Sequence, residues 1–371
     1  MNSRSALTQD LTQGNINAHL VRMTIPMFLG MASMILASMI DTIYVGLLGA
    51  RELAAYSFTF PLLMGLSSVS MGIGMGAASL IARSQGAGDH HQVRLLTTHT
   101  MLLTLILVIL VMFLSFIYLD EIFQLMGTQD DILPLVNEFM EVWILGLFLF
   151  TLPMVASTVL RAVGNAKVPG YVMTTTSALQ VVIAPLLIFG LLGAPELGFV
   201  GSAWAFVASS AVRAVAMFWL LIVEERLLLV GPGSLRGLRK SLKDISYIAV
   251  PSMLNSLIAP VSMAVTIWLL SSHGPEVVAA FGITSRFEML ILMVLMSLSS
   301  SIGPFVGQNW GARKIDRVYS GLRTTYIFSL VWGLLCFAVL APFGDDLVKL
   351  VNSDPALVIS AGLYLMVVPF S

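Results

Sequence analysis

The sequence predicts an all-α integral membrane protein built as two six-helix lobes. The lobes are related by a pseudo-twofold axis along the membrane normal, the second is incomplete, and about ten helices are present. Three observations lead there. Hydrophobic residues make up 57% of the 371 residues, charged residues only 11%, and the mean hydropathy is +0.92. A soluble core of this size cannot hide that much apolar surface, so lipid must be the solvent. The apolar residues gather into ten runs, each reaching the roughly 20 residues a helix needs to cross a bilayer. Finally, the chain repeats itself. Pro26 and Gly49 return as Pro251 and Gly274 about 225 residues on, and Gln85 and Arg94 return as Gln308 and Arg317, two residues short of that offset.

Taken in order, the spans run over 20–48, 52–82, 93–119, 132–160, 168–192, 197–223, 244–272, 276–307, 317–341 and 355–371. Pro26, Pro61, Pro153, Pro185, Pro251, Pro260 and Pro304 fall inside them. A proline frees a backbone carbonyl, so tilts and kinks are expected in these helices. Met1 to His19 is polar and lacks an apolar core with a small-residue cleavage site, so it reads as a tail and not as a cleaved signal peptide. From Glu224 to Lys243, Gly231-Pro232-Gly233 and a basic cluster have linker composition. The linker divides the chain into a first lobe, 1–230, with six spans, and a second lobe, 231–371, with four. An even count per copy gives both the same orientation. By symmetry the second lobe lacks two helices, the chain stopping at Pro369-Phe370-Ser371.

Loop charges set the orientation, since Lys and Arg of short loops stay on the cytoplasmic side. All but four of the 19 basic residues, among them Arg22, Arg83, Arg94, Arg161, Lys167, Lys314 and Arg317, fall on the side of the N terminus. The opposite loops carry Glu52, Asp120, Glu121, Asp130, Asp131, Glu196 and Asp345. The N terminus is therefore expected to be cytoplasmic. A net charge of −1 and the lack of a basic run with interleaved aromatics argue against a nucleic-acid partner. The single Cys336 excludes a disulfide framework and a Cys-His metal site. His90, His91, His99 and His273 show no metal spacing and read as solvated side chains. Gly72-Ile73-Gly74-Met75-Gly76 lies mid-span and lacks the Lys-Ser/Thr end of a phosphate loop, so close helix packing explains it.

Asp41 stands about seven residues, or roughly 10 Å, from the outer end of the first span. A carboxylate at that depth costs on the order of 2.5–3.5 kcal/mol and is kept only with partners or in a wet cavity. Loss of hydration penalises the charged form, which suits the residue to exchanging a proton, and a structural acid at a helix bend is the alternative. The repeat sets Asp41 against Thr266, which is uncharged. Arg286 and Glu288 lie near the midplane of the eighth span, and their i,i+2 spacing puts them on different helix faces. They read either as substrate contacts or as a structural pair between helices. Asn255 is the polar residue of the seventh span most suited to face a cavity, and Arg213 in the sixth can snorkel to the cytoplasmic face. The 22 methionines could line an adaptable pocket, although core or lipid-facing packing is the commoner use.

The segments IPMFLGMASMILASMIDTIYVGLLG, LRAVGNAKVPGYVM, IAPLLIFG and ITSRFEMLILMVLMSLSSSIGPFVGQNWGARKIDRV resemble the multidrug and toxic compound extrusion (MATE) transporters over nearly the whole chain. The acid in IDTIYVGLLG and the GPFVGQNWGA end of the eighth span are the most specific parts. The resemblance implies a cation-coupled antiporter of a bacterial inner membrane, monomeric in the lipid bilayer and without cofactor or metal. It implies Asp41 as the ion-coupling acid and a drug-like or cationic small molecule as substrate. The family commonly has Asn and Asp four residues apart before a Pro, where this chain has Gln180 and Ala184 before Pro185. The missing second acid favours H+ coupling over Na+, although Na+ stays possible. Gln180 could then hydrogen-bond Asp41, with Thr176 and Tyr44 as further polar support in the cavity. A flippase or exporter of a lipid-linked or endogenous metabolite shares the two-lobe plan, but a phosphate substrate would call for more cavity cations than Arg286 and Arg213. A non-transporting membrane sensor would want an appended signalling domain, and an enzyme a His/Asp, Ser/His or metal constellation at depth, and neither is visible.

Overall fold

In the computed structural model, which describes residues 10–229, 231, 233–271 and 275–349, the chain is a set of long helices. They are α1 (Ile16–Leu48), α2 (Ala50–Gly86), α3 (His90–Ile117), α4 (Leu119–Leu125), α5 (Leu133–Leu145), α6 (Leu147–Ala162), α7 (Lys167–Phe189), α8 (Gly198–Trp219), α9 (Leu238–Ser271), α10 (Pro275–Gly311) and α11 (Ile315–Lys349). Eight of the described helices are long and apolar enough to cross a membrane, and α5 with α6 form a ninth, broken span. These match the first nine expected spans, and the tenth lies outside the described residues. The protein is a multi-pass membrane protein.

Local chemistry sets the ends. Asn15 starts α1 by accepting a hydrogen bond from the Ala18 N–H (3.2 Å), and Asp89 starts α3 by accepting from Gln92 (2.9 Å). Gly49 alone turns the chain from α1 into α2, at a φ of +156° that L side chains rarely adopt. The sharp bend of the fourth span, 48°, falls between α5 and α6 at Gly146 and not at Pro153. Gly146 lets α8 approach there, since an added methyl would meet Val207 Cγ2 at 2.6 Å. The linker is shorter than composition suggested. α8 closes in a π turn (Leu220–Glu224), and α9 begins at Leu238, so Arg239, Lys240 and Lys243 belong to the first turns of a helix.

Ile25, Leu29, Leu36, Ile43 and Leu47 form an exposed apolar stripe along α1, as lipid solvation permits. The opposite stripe, Leu20, Met23, Met27, Gly30, Ala37, Asp41 and Val45, is buried, so the one acid of this helix points into the protein. α1 packs on α7, where Gly170 sits so close that a Cβ would be driven into the Pro26 carbonyl. Inside the first lobe one buried cluster (Ile73, Ile81, Val155, Leu160, Met217, Leu221) joins α2, α6 and the end of α8. A second (Val45, Phe123, Phe139, Trp143, Phe199, Ala203) lies toward the other end of the molecule.

The two lobes touch through α2 against α9 and α10, and through α1 against α10, over the end of the molecule that carries the N terminus. Glycines make the contact. A methyl at Gly76 would meet the Ile245 carbonyl at 2.7 Å, one at Gly86 would enter the Gln308 backbone, and one at Gly307 would meet the Ala82 Cβ at 2.6 Å. The glycine run expected to pack helices does so in two directions: Gly72 and Gly76 face α9, and Gly74 faces Thr158 on α6. Toward the opposite end α2 leaves Phe60 and Met64 exposed, and a methyl at Gly65 would meet nothing within 4 Å.

Candidate ion-coupling site

Asp41 is 5% exposed. The turn at Gly49 makes α1 and α2 a hairpin, which brings residues at similar distances from it to similar depth, and Tyr56, seven residues after the turn, meets Asp41, eight before it. Its hydroxyl donates to Asp41 Oδ2 at 3.3 Å, and Ser202 Oγ, from the first turns of α8, donates to the same oxygen at 2.7 Å. Asp41 Oδ1 is buried and has no hydrogen-bond partner among the described residues. The surroundings are aromatic. Tyr56 stands edge-on to Phe139 (centroids 5.8 Å apart) and Phe199 (6.4 Å), which stack on each other at 4.7 Å. A carboxylate with one oxygen bonded twice and the other not at all is half satisfied, and it can gain or lose a proton without rearranging its neighbours.

The expected supports stand elsewhere. Gln180 is half-buried on α7 and makes no hydrogen bond to Asp41 among the described residues. Thr176 donates to the Val172 carbonyl at 2.8 Å and accepts from Arg213 Nε at 3.0 Å, so it serves the arginine and not the acid. Tyr44 lies edge-on to Phe189 at 6.4 Å, in an apolar contact with Ala184, Ile188 and Ala205. Ala184, where the family pattern has an acid, is buried in that same contact. Of the second-lobe candidates, Asn255 is exposed on α9, Glu288 is half-buried on α10, and the Arg286 side chain lies outside the described residues. Ser202 and Tyr56 were missed by the sequence reading. The similar spacing of Asp41 and Tyr56 from the single-residue turn, eight residues and seven, could have revealed the tyrosine, while Ser202 is one small polar residue among many in apolar spans.

The MatE family profile matches this chain twice, over residues 26–186 and 251–371. The chain belongs to the MatE family. The two matches begin at Pro26 and Pro251, the prolines that mark the internal repeat. Among relatives, the chain is 33% identical to the FAD transporter of Shewanella oneidensis, over 97% of this chain and 79% of the relative. It is 25% identical to the probable multidrug resistance protein YoeA of Bacillus subtilis, over 87% and 71%. The Vibrio cholerae MATE transporter VcmN in the bent form superposes with a TM-score of 0.90 at 26% identity, covering 95% of this chain and 80% of VcmN. The two-lobe fold of MATE transporters is thus the fold of this chain, and membership makes it a membrane transporter.

Two further MATE-lobe residues depart from expectation. Arg213 does not snorkel. It is buried between α7 and α8 with its Nε on Thr176. His99 is not solvated either: it is fully buried in α3, with Nε2 at 2.8 Å from the Ser234 carbonyl of the linker. Arg161, at the end of α6, donates to Ser157 Oγ and Thr158 Oγ1, both at 2.7 Å.

Proposed function

We propose that this MATE chain is a proton-coupled antiporter of a bacterial cytoplasmic membrane, with its N terminus in the cytoplasm, exporting drug-like amphipathic or cationic solutes by alternating access. The observation that carries the reading is the half-satisfied Asp41. A sodium ion wants several oxygen ligands, as other hard cations do, whereas Asp41 has two hydroxyls, both on one oxygen, beside a wall of aromatic rings. A proton needs only the free oxygen.

In this mechanism ionised Asp41 favours the state of the first lobe that holds substrate. A proton entering from outside neutralises it, the Pro26-containing α1 bends against α7, and substrate leaves outward. Linkage makes the competition reciprocal: substrate lowers proton affinity by the factor by which the proton weakens substrate.

A second reading of the substrate rests on the higher identity with the FAD transporter, 33%, against 25% for YoeA. A dinucleotide is aromatic at both ends and anionic in the middle, so it needs cations. Arg213 and Arg161 are guanidiniums of the first lobe that donate to hydroxyls and, for Arg161, to the Met27 sulfur; these neutral partners among the described residues leave their charge for an anion. Inside-out vesicles with an imposed pH gradient test both readings. The expected result is gradient-dependent uptake of labelled ethidium or labelled FAD, abolished by a protonophore and by Asp41→Asn. Full gradient-driven uptake by Asp41→Asn would overturn the coupling role.

A further inference from the structure

We propose that the two chain segments leading into the lobes form a reciprocal pair of clasps, each gripped by an arginine of the opposite lobe, and that release of these grips lets the N-terminal end of the molecule open. The inference deepens the alternating-access reading and rests on it.

The first clasp is residues 11–14, just ahead of α1. Leu11 is fully buried in a cluster with Met23, Met27 and Ala166 of the first lobe and Phe305 of the second. Both its backbone groups are taken by the second lobe. Its N–H donates to Gln308 Oε1 (3.3 Å), and its carbonyl accepts from Asn309 Nδ2 (3.1 Å) and Arg317 Nη2 (3.3 Å). Arg317 Nη1 also donates to the Gly14 carbonyl (2.9 Å), and Lys314 Nζ to the Thr12 carbonyl (2.8 Å). Arg317 is itself aimed by Asn309 Oδ1 at 3.1 Å. Gln308 ties the arrangement back to the first lobe, donating to the Ala162 carbonyl at 2.9 Å.

The second clasp is the linker ahead of α9. Here Arg94, the repeat counterpart of Arg317, donates to the Leu228 carbonyl (3.2 Å). Thr98 Oγ1 accepts from the Leu229 N–H (2.9 Å), and His99 binds the Ser234 carbonyl (2.8 Å). Leu227 is buried with Val93 and Leu96. The start of the third span of each lobe thus holds the polypeptide entering the other lobe. The first clasp spans the lobe interface directly. The second shortens the free length of the tether, and so limits how far α9 can leave α2.

The glycine contacts of α2 with α9 and α10 need the lobes pressed together, and the first clasp lies across that same seam. Separating the lobes here breaks six hydrogen bonds to backbone carbonyl or amide groups and exposes Leu11. Arg317 and Arg94 are therefore positioning residues: they set the balance between the two access states without touching the substrate.

The test uses the full chain with Cys336→Ser and one reporter, Ser301→Cys, which is buried on the α10 face that also carries Ser297, the neighbour of Met31 on α1. A membrane-impermeant maleimide is applied to the N-terminal side, in vesicles of known orientation. Arg317→Ala is expected to speed labelling by about tenfold or more, the shift that follows loss of a charged hydrogen-bonding group. Arg94→Ala is expected to do the same more weakly, and Arg317→Lys to restore part of the protection. Unchanged labelling in Arg317→Ala would overturn the proposal. A cross-linked Leu11→Cys/Phe305→Cys pair supplies a readout on folded protein: reporter labelling should stop and return on reduction, and labelling that ignores the cross-link would also overturn it. Neither readout involves Asp41 or a substrate, so a wrong coupling mechanism would leave both intact.

Discussion

Asp41 is held by two unequal bonds, and the inequality orders the variants. Ser202 Oγ lies at 2.7 Å and the Tyr56 hydroxyl at 3.3 Å. A hydrogen bond to a charged group is worth about 1.5–3 kcal/mol, so Ser202→Ala should slow gradient-driven efflux by about tenfold or more. Tyr56→Phe should slow it less, because the longer bond is weaker and the ring keeps its place on Phe139 and Phe199. Efflux rates of the two variants at one fixed gradient check that order. Asp41 was legible in the sequence because a carboxylate inside an apolar span is costly and conspicuous. Its partners were not. A serine or a tyrosine is cheap at membrane depth, and which of them meets the acid depends on how α8 crosses α1. The same reason hid His99 and Arg213, whose burial comes from a linker carbonyl and a threonine on other segments.

At the level of elements, glycines decide where helices meet. Gly86 and Gly303 make a matched pair for experiment, one with its Cβ position inside the Gln308 backbone and the other in open space. Gly86→Ala must push α2 from α10 and should destabilise the protein by about 1–3 kcal/mol, as overpacking does. Gly303→Ala should be neutral or stabilise by up to about 1 kcal/mol, as expected for alanine in a helix. Melting of the two detergent-solubilised variants distinguishes them. Gly170→Ala tests the hinge reading of α1. It should impair transport more than folding of the Asp41 site, since it forces α7 off the Pro26 turn while leaving Ser202 and Tyr56 untouched; efflux at a fixed gradient, compared with the melting temperature, shows the split. Span positions were readable from runs of apolar residues. The break at Gly146 was not, since proline is the stronger bend signal in sequence and the approach of Val207 appears only in three dimensions.

For the whole molecule, the repeat explains both the architecture and the asymmetry. Its two copies share one proline, Pro26 and Pro251, and the family profile matches each from that proline onward. They also share the arginines that grip the entering chain, Arg94 and Arg317. They differ at Asp41 and Thr266, so the proposed coupling charge would reside in one lobe. The repeat offset, a comparison of the chain with itself, made the two-lobe plan legible. The lobe contact was not legible, because Gly72, Gly76, Gly86 and Gly307 look alike whether they face a neighbour in their own lobe or in the other.

Proton exchange at Asp41 against substrate is the step on which the proposed transport cycle depends. Proton release on substrate addition to the purified full-length protein in weakly buffered detergent solution tests it most directly. The wild type should release close to one proton per substrate bound and Asp41→Asn none. Equal release from both proteins would contradict it.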